Sequence, residues 1–334
     1  MDKRFFIRPF NKINFLLMLL LATLLAGCIK DDNNGDDCGS GLRIYYRYDY
    51  NMEFADAFHS QVHRVDLYIF DEDECFVRKV TDQGAALANN NYYMEVDLEP
   101  GTYHFVVWAG LIEESFEEVE TMEARISEKI HLKVALLMEE DHVSDHELQA
   151  LWHGEKESVV VTGKGYEETT VSLIKDTNDI RVILQQVNGV PMSVDDFYFE
   201  ITDDNSLLNY DNRIIPNGTV TYHACYQGEL TLGDVQPVSV VYFEANTSRL
   251  VEDSEARLRV LKASDGSTVI DIPLIDYLLL TEMEGYKGRM TNDEYLNRQH
   301  EYSLIFFLDP NLSWLQTEII VNGWTVRFNN GELE

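Results

Sequence analysis

From Leu42 to Tyr50 the chain alternates without a break. Leu42, Ile44, Tyr46, Tyr48 and Tyr50 interleave with Arg43, Tyr45, Arg47 and Asp49. A period of two puts every second side chain on one face, the pattern of a half-buried β-strand. The same grammar recurs. "VDLYIF" (Val65 to Phe70) and "CFVRKV" (Cys75 to Val80) flank Asp71 to Glu74 and predict a hairpin. "YYMEVDL" and "TYHFVVWAGL" flank Glu99-Pro100-Gly101, where Pro presets φ and Gly tolerates positive φ, predicting a type II turn. Tyr103, Phe105 and Val107 should then face one way, and His104, Val106 and Trp108 the other. Further strands are expected at 159–161, 169–174, 180–186, 197–201, 238–244, 256–261, 302–308 and 317–328. Helix signals are few. Ser144 with Glu147, and Thr291 with Glu294, have the spacing of a capping box, and Pro273 suits a first helical position. Many short strands between turn signals imply an all-β chain built of β-sandwiches.

Ahead of the first strand the chain is of another kind. Lys3, Arg4, Arg8 and Lys12 precede an apolar run from Ile13 to Ala26, broken by Asn14 and Thr23. That run is shorter than the roughly 20 residues a membrane-spanning helix needs. A basic start, a short apolar middle and a small-residue end describe a secretory signal peptide. Its end, Leu25-Ala26-Gly27-Cys28, resembles the lipobox of bacterial lipoproteins, which implies cleavage after Gly27 and lipid on Cys28. The Asp-, Asn- and Gly-rich stretch that follows buries too little apolar surface to fold and is expected to be a disordered tether. Lys30, Asp31 and Asp32 resemble the acidic export signal of surface lipoproteins in the Bacteroidetes. The expected organisation is therefore signal peptide 1–27, lipidated cysteine and tether 28–40, first sandwich 41–165 and second sandwich 166–334. The hinge is set near Gly163-Lys164-Gly165.

The 334 residues hold 26 Lys+Arg against 59 Asp+Glu, a net charge of −33. Loss of the leader, with four basic residues and one acid, makes the chain more acidic still. Such a chain repels nucleic acid and anionic lipid, so membrane attachment falls to the lipid and no nucleic-acid partner is expected. Cys28 aside, Cys38, Cys75 and Cys225 remain. Three thiols cannot all pair within one chain; Cys38 and Cys75 can meet, or all three stay free. No catalytic constellation, cofactor motif or metal set stands out. His142 and His146 share a spacing of four beside Asp141 and Asp145, but Ser144 at a helix N-cap would leave His142 outside the helix.

"YRYDYNMEFADAFHSQVHRVDLYIFDED" (Tyr46 to Asp73), "LEPGTYHFVVWAGL" (Leu98 to Leu111), "LWHG", "KDTNDIRVIL", "YLLLTEMEG", "MTNDEYLNRQHEYSLIFFLD" and "IIVNGWTVRFNN" follow one another in order. Together they resemble the FimB/Mfa2 family of Bacteroidetes fimbrial anchor subunits, over essentially the whole chain after the leader. Cys75 departs from the pattern, where a turn-favouring Gly is expected. The resemblance implies two tandem transthyretin-like β-sandwiches in an outer-membrane lipoprotein. It implies that the protein holds a fimbrial stalk subunit at the base of the fimbria and limits its length. Subunits of such polymers join by adding an extended strand to a sheet edge. Here the first strand carries the anchor, so it is expected to stay in place. At the other end, in a strand over 317–328, Ile320, Trp324, Val326 and Phe328 share one face by period two, with Asn322 the polar exception. That strand either closes its own sandwich or is lent to the groove of the first stalk subunit. A surface glycan-binding lipoprotein is the alternative, with Trp108, Trp152, Trp314 and Trp324 as candidate sugar platforms, although a sandwich core explains Trp108 and Trp324 more simply. An enzyme is the third class, and the sequence names no residues for it.

Overall fold

The computed structural model describes residues 41–111, 115–119, 132–232, 238–282, 286–321 and 324–329, with side chains described as far as residue 315. Gly27, Cys28, Lys30, Asp31, Asp32 and Cys38 lie outside the described residues. Residues 41–334 gather into one unit, and among the described residues it is built of strands with a few short helices.

The first sheet runs β3 (Phe76–Gln83), β2 (Arg64–Asp71), β5 (Gly101–Ala109), β9 (Trp152–Val161), β10 (Tyr166–Lys175), β1 (Gly41–Arg47) and β4 (Met94–Val96). β9 and β10 pair only at Leu173–Gly154, Ile174–His153 and Lys175–Trp152, so the sheet folds over there into two halves. Gly154 permits the approach: a Cβ on it would lie 2.8 Å from the Ser172 carbonyl oxygen. One core fills the fold. Leu42, Ile44, Tyr46, Met94, Val96, Val171 and Leu173 meet Val65, Leu67, Ile69, Phe105, Val107 and Val161. The alternation read in β5 holds. Phe105 and Val107 enter this core, whereas Val106 and Trp108 enter the other.

The second core lies between two more sheets. One runs β15 (Tyr226–Leu232), β16 (Val238–Thr247), β11 (Asn178–Gln186), β19 (Glu301–Leu308), β20 (Trp314–Val321) and β21 (Trp324–Asn329). The other runs β18 (Thr268–Pro273), β17 (Arg257–Lys262), β12 (Phe197–Asp203), β14 (Val220–Tyr222) and β8 (Val143–Ser144). Val182, Phe243 and Leu304 from the first face Phe199, Leu258 and Tyr222 from the second, with Phe199 stacked on Phe243 at 5.2 Å. A small sheet of β6 (Phe116–Glu118), β7 (Lys133–Leu136) and β13 (Leu207–Asn209) adds to this core. Both sandwiches close alike: the first strand of each lies parallel to a late one, β1 to β10 and β11 to β19.

Several expectations need correction. β10 belongs to the first sheet, so Gly163-Lys164-Gly165 is a hairpin turn within it, with positive φ at both glycines. The sheets change across Asp176-Thr177, later than the expected 165/166 boundary, and β8 from before that boundary pairs with β14. Gly101 begins β5 without positive φ, and β4 pairs with β1 rather than β5, so no type II hairpin forms there. Ser144 starts no helix. The backbone N–H of Leu148 donates to Asn246 Oδ1 at 3.2 Å and that of Gln149 to Ser115 Oγ at 2.9 Å, so side chains distant in sequence take the donors a helix would have used. The capping expectation does hold at Thr291, whose hydroxyl accepts from Glu294 N–H at 3.1 Å ahead of a helix over Asn292–Arg298. Pro273 is the cap, not the first residue, of the helix Leu274–Leu279.

Candidate functional site

The two ends of the folded unit are held differently. β1 is an interior strand. It pairs in parallel with β10 from Gly41–Tyr166 to Arg47–Ser172, and antiparallel with β4 from Leu42–Val96 to Ile44–Met94. Leu42, Ile44 and Tyr46 are buried beneath it, and the Tyr46 ring packs in a cluster of three with Phe58 and Tyr92. Paired along its whole length with β10, over Leu42–Ile44 with β4, and with one face sunk in a core, β1 is held firmly.

The last two strands form a hairpin at a sheet edge. The expected single strand over 317–328 is two strands, β20 and β21, paired from Gln316–Asn329 to Val321–Trp324. This register separates the four candidate residues. Ile320 lies in β20 opposite Thr325. Trp324, Val326 and Phe328 lie in β21 opposite Val321, Ile319 and Thr317. Ile320 is thus out of phase with the other three. β21 pairs with β20 alone, so its other edge is unpaired among the described residues.

The outer face of this sheet carries a shallow cleft of about 520 Å³ lined by Asp179, Arg181, Tyr226, Glu244, Asn246 and Glu301. Its polar groups are mutually engaged. Arg181 Nε reaches Glu244 Oε1 at 2.7 Å, and the Tyr226 hydroxyl donates to Glu147 Oε2 at 2.7 Å. The Cys225 thiol beside them donates to the Glu244 carbonyl at 3.1 Å, and burial pushes its pKa up. A raised thiol pKa opposes nucleophilic use. Cys75 sits at the β2–β3 hairpin tip, where Glu74 adopts a φ of 64°. His142 and His146 share no helix; His142 has a φ of 61°, and His146 lies 3.9 Å from Asp145.

Between the sandwiches the chain buries a carboxyl group. Asp176 accepts from Asn212 Nδ2 at 2.7 Å and lies 3.5 Å from Arg249, yet burial outweighs both and lifts its carboxyl to about 7. Nearby, burial pulls His153 down to about 4 while its Nε2 meets the Tyr210 carbonyl at 2.7 Å.

Trp108 is buried in a core, as its simpler reading had it, and Trp152 is buried too, while Trp314 packs on Phe306 and Tyr277. The exposed aromatic face is a tyrosine one, which the sequence reading missed. Arg43 lies over the rings of Tyr166 at 4.2 Å and Tyr93 at 4.8 Å, and Tyr45 stands 5.8 Å from Tyr93. Tyr93 and Tyr166 are 36% and 45% exposed. The signal was present in β1: its odd-numbered residues include Arg43 and Tyr45 on the solvent side.

A family profile of the fimbrillin-A associated anchor proteins Mfa1 and Mfa2 matches residues 35–330. The chain belongs to this anchor family. A candidate adhesin of Bacteroides thetaiotaomicron is 39% identical, with a TM-score of 0.79 over 86% of this chain and 98% of its own. A candidate polysaccharide-binding protein of the same species is 33% identical, with a TM-score of 0.76 over 88% and 99%. The fimbrial anchor protein Mfa2 of Porphyromonas gingivalis is 16% identical and shares the fold, with a TM-score of 0.66 over 87% and 99%. No curated protein matches the sequence. The anchor family is structural and fimbrial, not enzymatic, and places the protein with the fimbrium at the cell surface.

Proposed function

We propose that this anchor-family protein is an outer-membrane lipoprotein, cleaved after Gly27 and lipid-linked at Cys28, that holds the base of a fimbria and limits its length. The observation that carries the reading is the contrast between the two ends. The strand next to the tether is locked between two neighbours, and the terminal hairpin leaves one strand edge unpaired. A first stalk subunit pairs an extended segment with the free edge of β21, adding a strand to the sheet. Lys30, Asp31 and Asp32 direct the protein outward, and residues 28–40 are its tether.

The test is co-purification of the membrane-tethered protein with the major stalk subunit. Cys28→Ala should detach the protein from the outer membrane and release fimbriae into the medium; persistence in carbonate-washed membranes overturns the lipid anchor. Alanine at Lys30, Asp31 and Asp32 together should reduce protease accessibility on intact cells at equal total protein.

A second reading, glycan binding, is favoured by the exposed Tyr93–Tyr45–Arg43–Tyr166 face and by the polysaccharide-binding description of one relative. Tyrosine rings offer apolar faces, and the carboxylates of Glu95 and Glu168 beside Arg43 and Tyr45 offer hydrogen-bond acceptors. Tyr93→Ala with Tyr166→Ala should abolish glycan retention in this reading and leave stalk capture unchanged.

A further inference from the structure

We propose that His104, Glu155 and Glu157 form a binding site for one divalent transition-metal ion, Zn²⁺ or its analogue Co²⁺. Their donor atoms, an imidazole nitrogen and two carboxylate oxygens, all lie within 4.8 Å of one another. Among the described residues this is the one place where three such side chains converge so closely.

The placement comes from the cross-strand register of β5 and β9. Val106 stands opposite Glu155 and Phe105 opposite Lys156, but Tyr103 stands opposite Val159. One residue of β5, His104, therefore faces two of β9, Glu157 and Ser158: a β-bulge. Ser158 takes up the extra residue with a φ of 56°. The regular ladder on the other side of the bulge, Val106–Glu155 and Phe105–Lys156, sets Glu155 and Glu157 on the same face as His104.

Burial grades across the group. His104 is 8% exposed, Glu155 is half-buried and Glu157 is exposed, so the site is rooted in the sheet and open on one side. His104 Nε2 lies 2.7 Å from Glu155 Oε1. The Glu157 carboxylate lies within 4.8 Å of both, and one cation would draw the three together. Zn²⁺ with bonds of about 2.0–2.1 Å to nitrogen and oxygen needs its donors about 3.3 Å apart. The close pair must open slightly, and Glu157 must swing inward through an exposed side chain, so the backbone can stay where it is. His153, next on this face of β9, is engaged by the Tyr210 carbonyl. Arg213, whose field reaches Glu155, is held by Asp211 at 2.6 Å. One imidazole among the ligands favours Zn²⁺ or Co²⁺ over Ca²⁺ and Mg²⁺, which prefer oxygen alone. Three protein ligands leave a fourth position to water.

The experiment is titration of the purified full-length protein with Zn²⁺ by calorimetry, and with Co²⁺ by visible absorption, which reports ligand geometry directly. One equivalent should bind saturably and raise the melting temperature. Glu157→Gln, at an exposed position that the fold does not depend on, should weaken binding by about tenfold or more. His104→Ala should abolish it, and Glu168→Gln on the opposite half of the folded sheet should leave it unchanged. Absence of saturable binding at millimolar Zn²⁺, or equal affinity in Glu157→Gln, overturns the proposal.

Discussion

The two sandwiches begin alike and end differently. Each sets its first strand parallel to a late one, β1 beside β10 and β11 beside β19. In the first sandwich β10 is the last strand. In the second the chain continues past β19 into the β20–β21 hairpin, and the sheet grows outward to an edge. A strand bonded on both sides and buried on one face cannot be exchanged without dismantling a core. An edge strand bonded on one side keeps an open ladder that a partner can use. Arg298 links the two regions. Its guanidinium donates to the Asp49 and Asn51 carbonyls after β1 and covers the Tyr50 ring at 3.8 Å, while its helix leads directly into β19.

The largest effect is expected where the first strand is locked. Ile44 is fully buried between β10 and β4. Ile44→Ala removes packing from a site closed on all sides and should cost about 2–5 kcal/mol of stability. Chemical denaturation of the two proteins measures this. A loss below about 1 kcal/mol would mean that β1 is replaceable, and the contrast between the ends would fail.

The second effect is a pH slope at the joint between the sandwiches. The Asp176 carboxyl rises from its ordinary 3.8 to about 7. Between those values the folded protein holds a proton that the unfolded chain has lost, so this group loses stability as pH rises through the window. His153 and His300 run the other way. Burial lowers them from 6.5 to about 4 and about 3, so the unfolded chain takes up their protons first and stability falls as pH drops below 6.5. From about pH 4 to 6.5 the two histidines oppose the one aspartate. Asp176→Asn removes the opposing proton and should steepen the acid loss by about 1.4 kcal/mol per pH unit. Urea midpoints at a series of pH values test it, and parallel slopes would contradict it.

A smaller effect tests the link. The Thr291 hydroxyl caps the helix that carries Arg298. Thr291→Ala should cost about 1 kcal/mol, and it should raise amide exchange at residues 49–51 as well as in the helix. Faster exchange confined to the helix would separate the two regions.

How legible these ends were follows from their chemistry. β1 could be read from the side chains alone, because strict alternation has one structural meaning when one face is buried. Period two over 317–328 puts Ile320 in phase with Trp324, although the Asn-Gly pair between the two apolar runs is a sequence signal for a two-residue turn. The register, Ile320 opposite Thr325 and Val321 opposite Trp324, puts the two out of phase. The Ser144–Glu147 and Thr291–Glu294 signals are identical on paper. Only Thr291 caps a helix, because near Ser144 the side chains of Asn246 and Ser115, distant in sequence, claim the backbone donors. The tyrosine face carries no tryptophan, and Trp108 and Trp152 fill cores instead. The meeting of His104, Glu155 and Glu157 depends on cross-strand register, which no local pattern encodes.

The smallest effect on stability is expected at the other end, and it decides the proposed function. β21 pairs only with β20, and ending the chain at Val321 removes one edge strand while β20 keeps its ladder to β19 from Ser303–Ile320 to Leu308–Trp314. The melting temperature should therefore change little, far less than for Ile44→Ala. Capture of the stalk subunit should disappear, because the partner loses the strand it pairs with. β20 would then become the edge and would offer a ladder of its own, so an equimolar mixing assay must also score weak binding. Lys substituted for Thr325 and Arg327 retained would separate the cases, since an added edge charge discourages strand addition without shortening the sheet. A truncated protein that melts as before yet captures the stalk undiminished would show that this edge is not the docking surface. A truncated protein that unfolds would show that β21 closes its own sandwich, as β10 closes the first, and the two ends would then be alike.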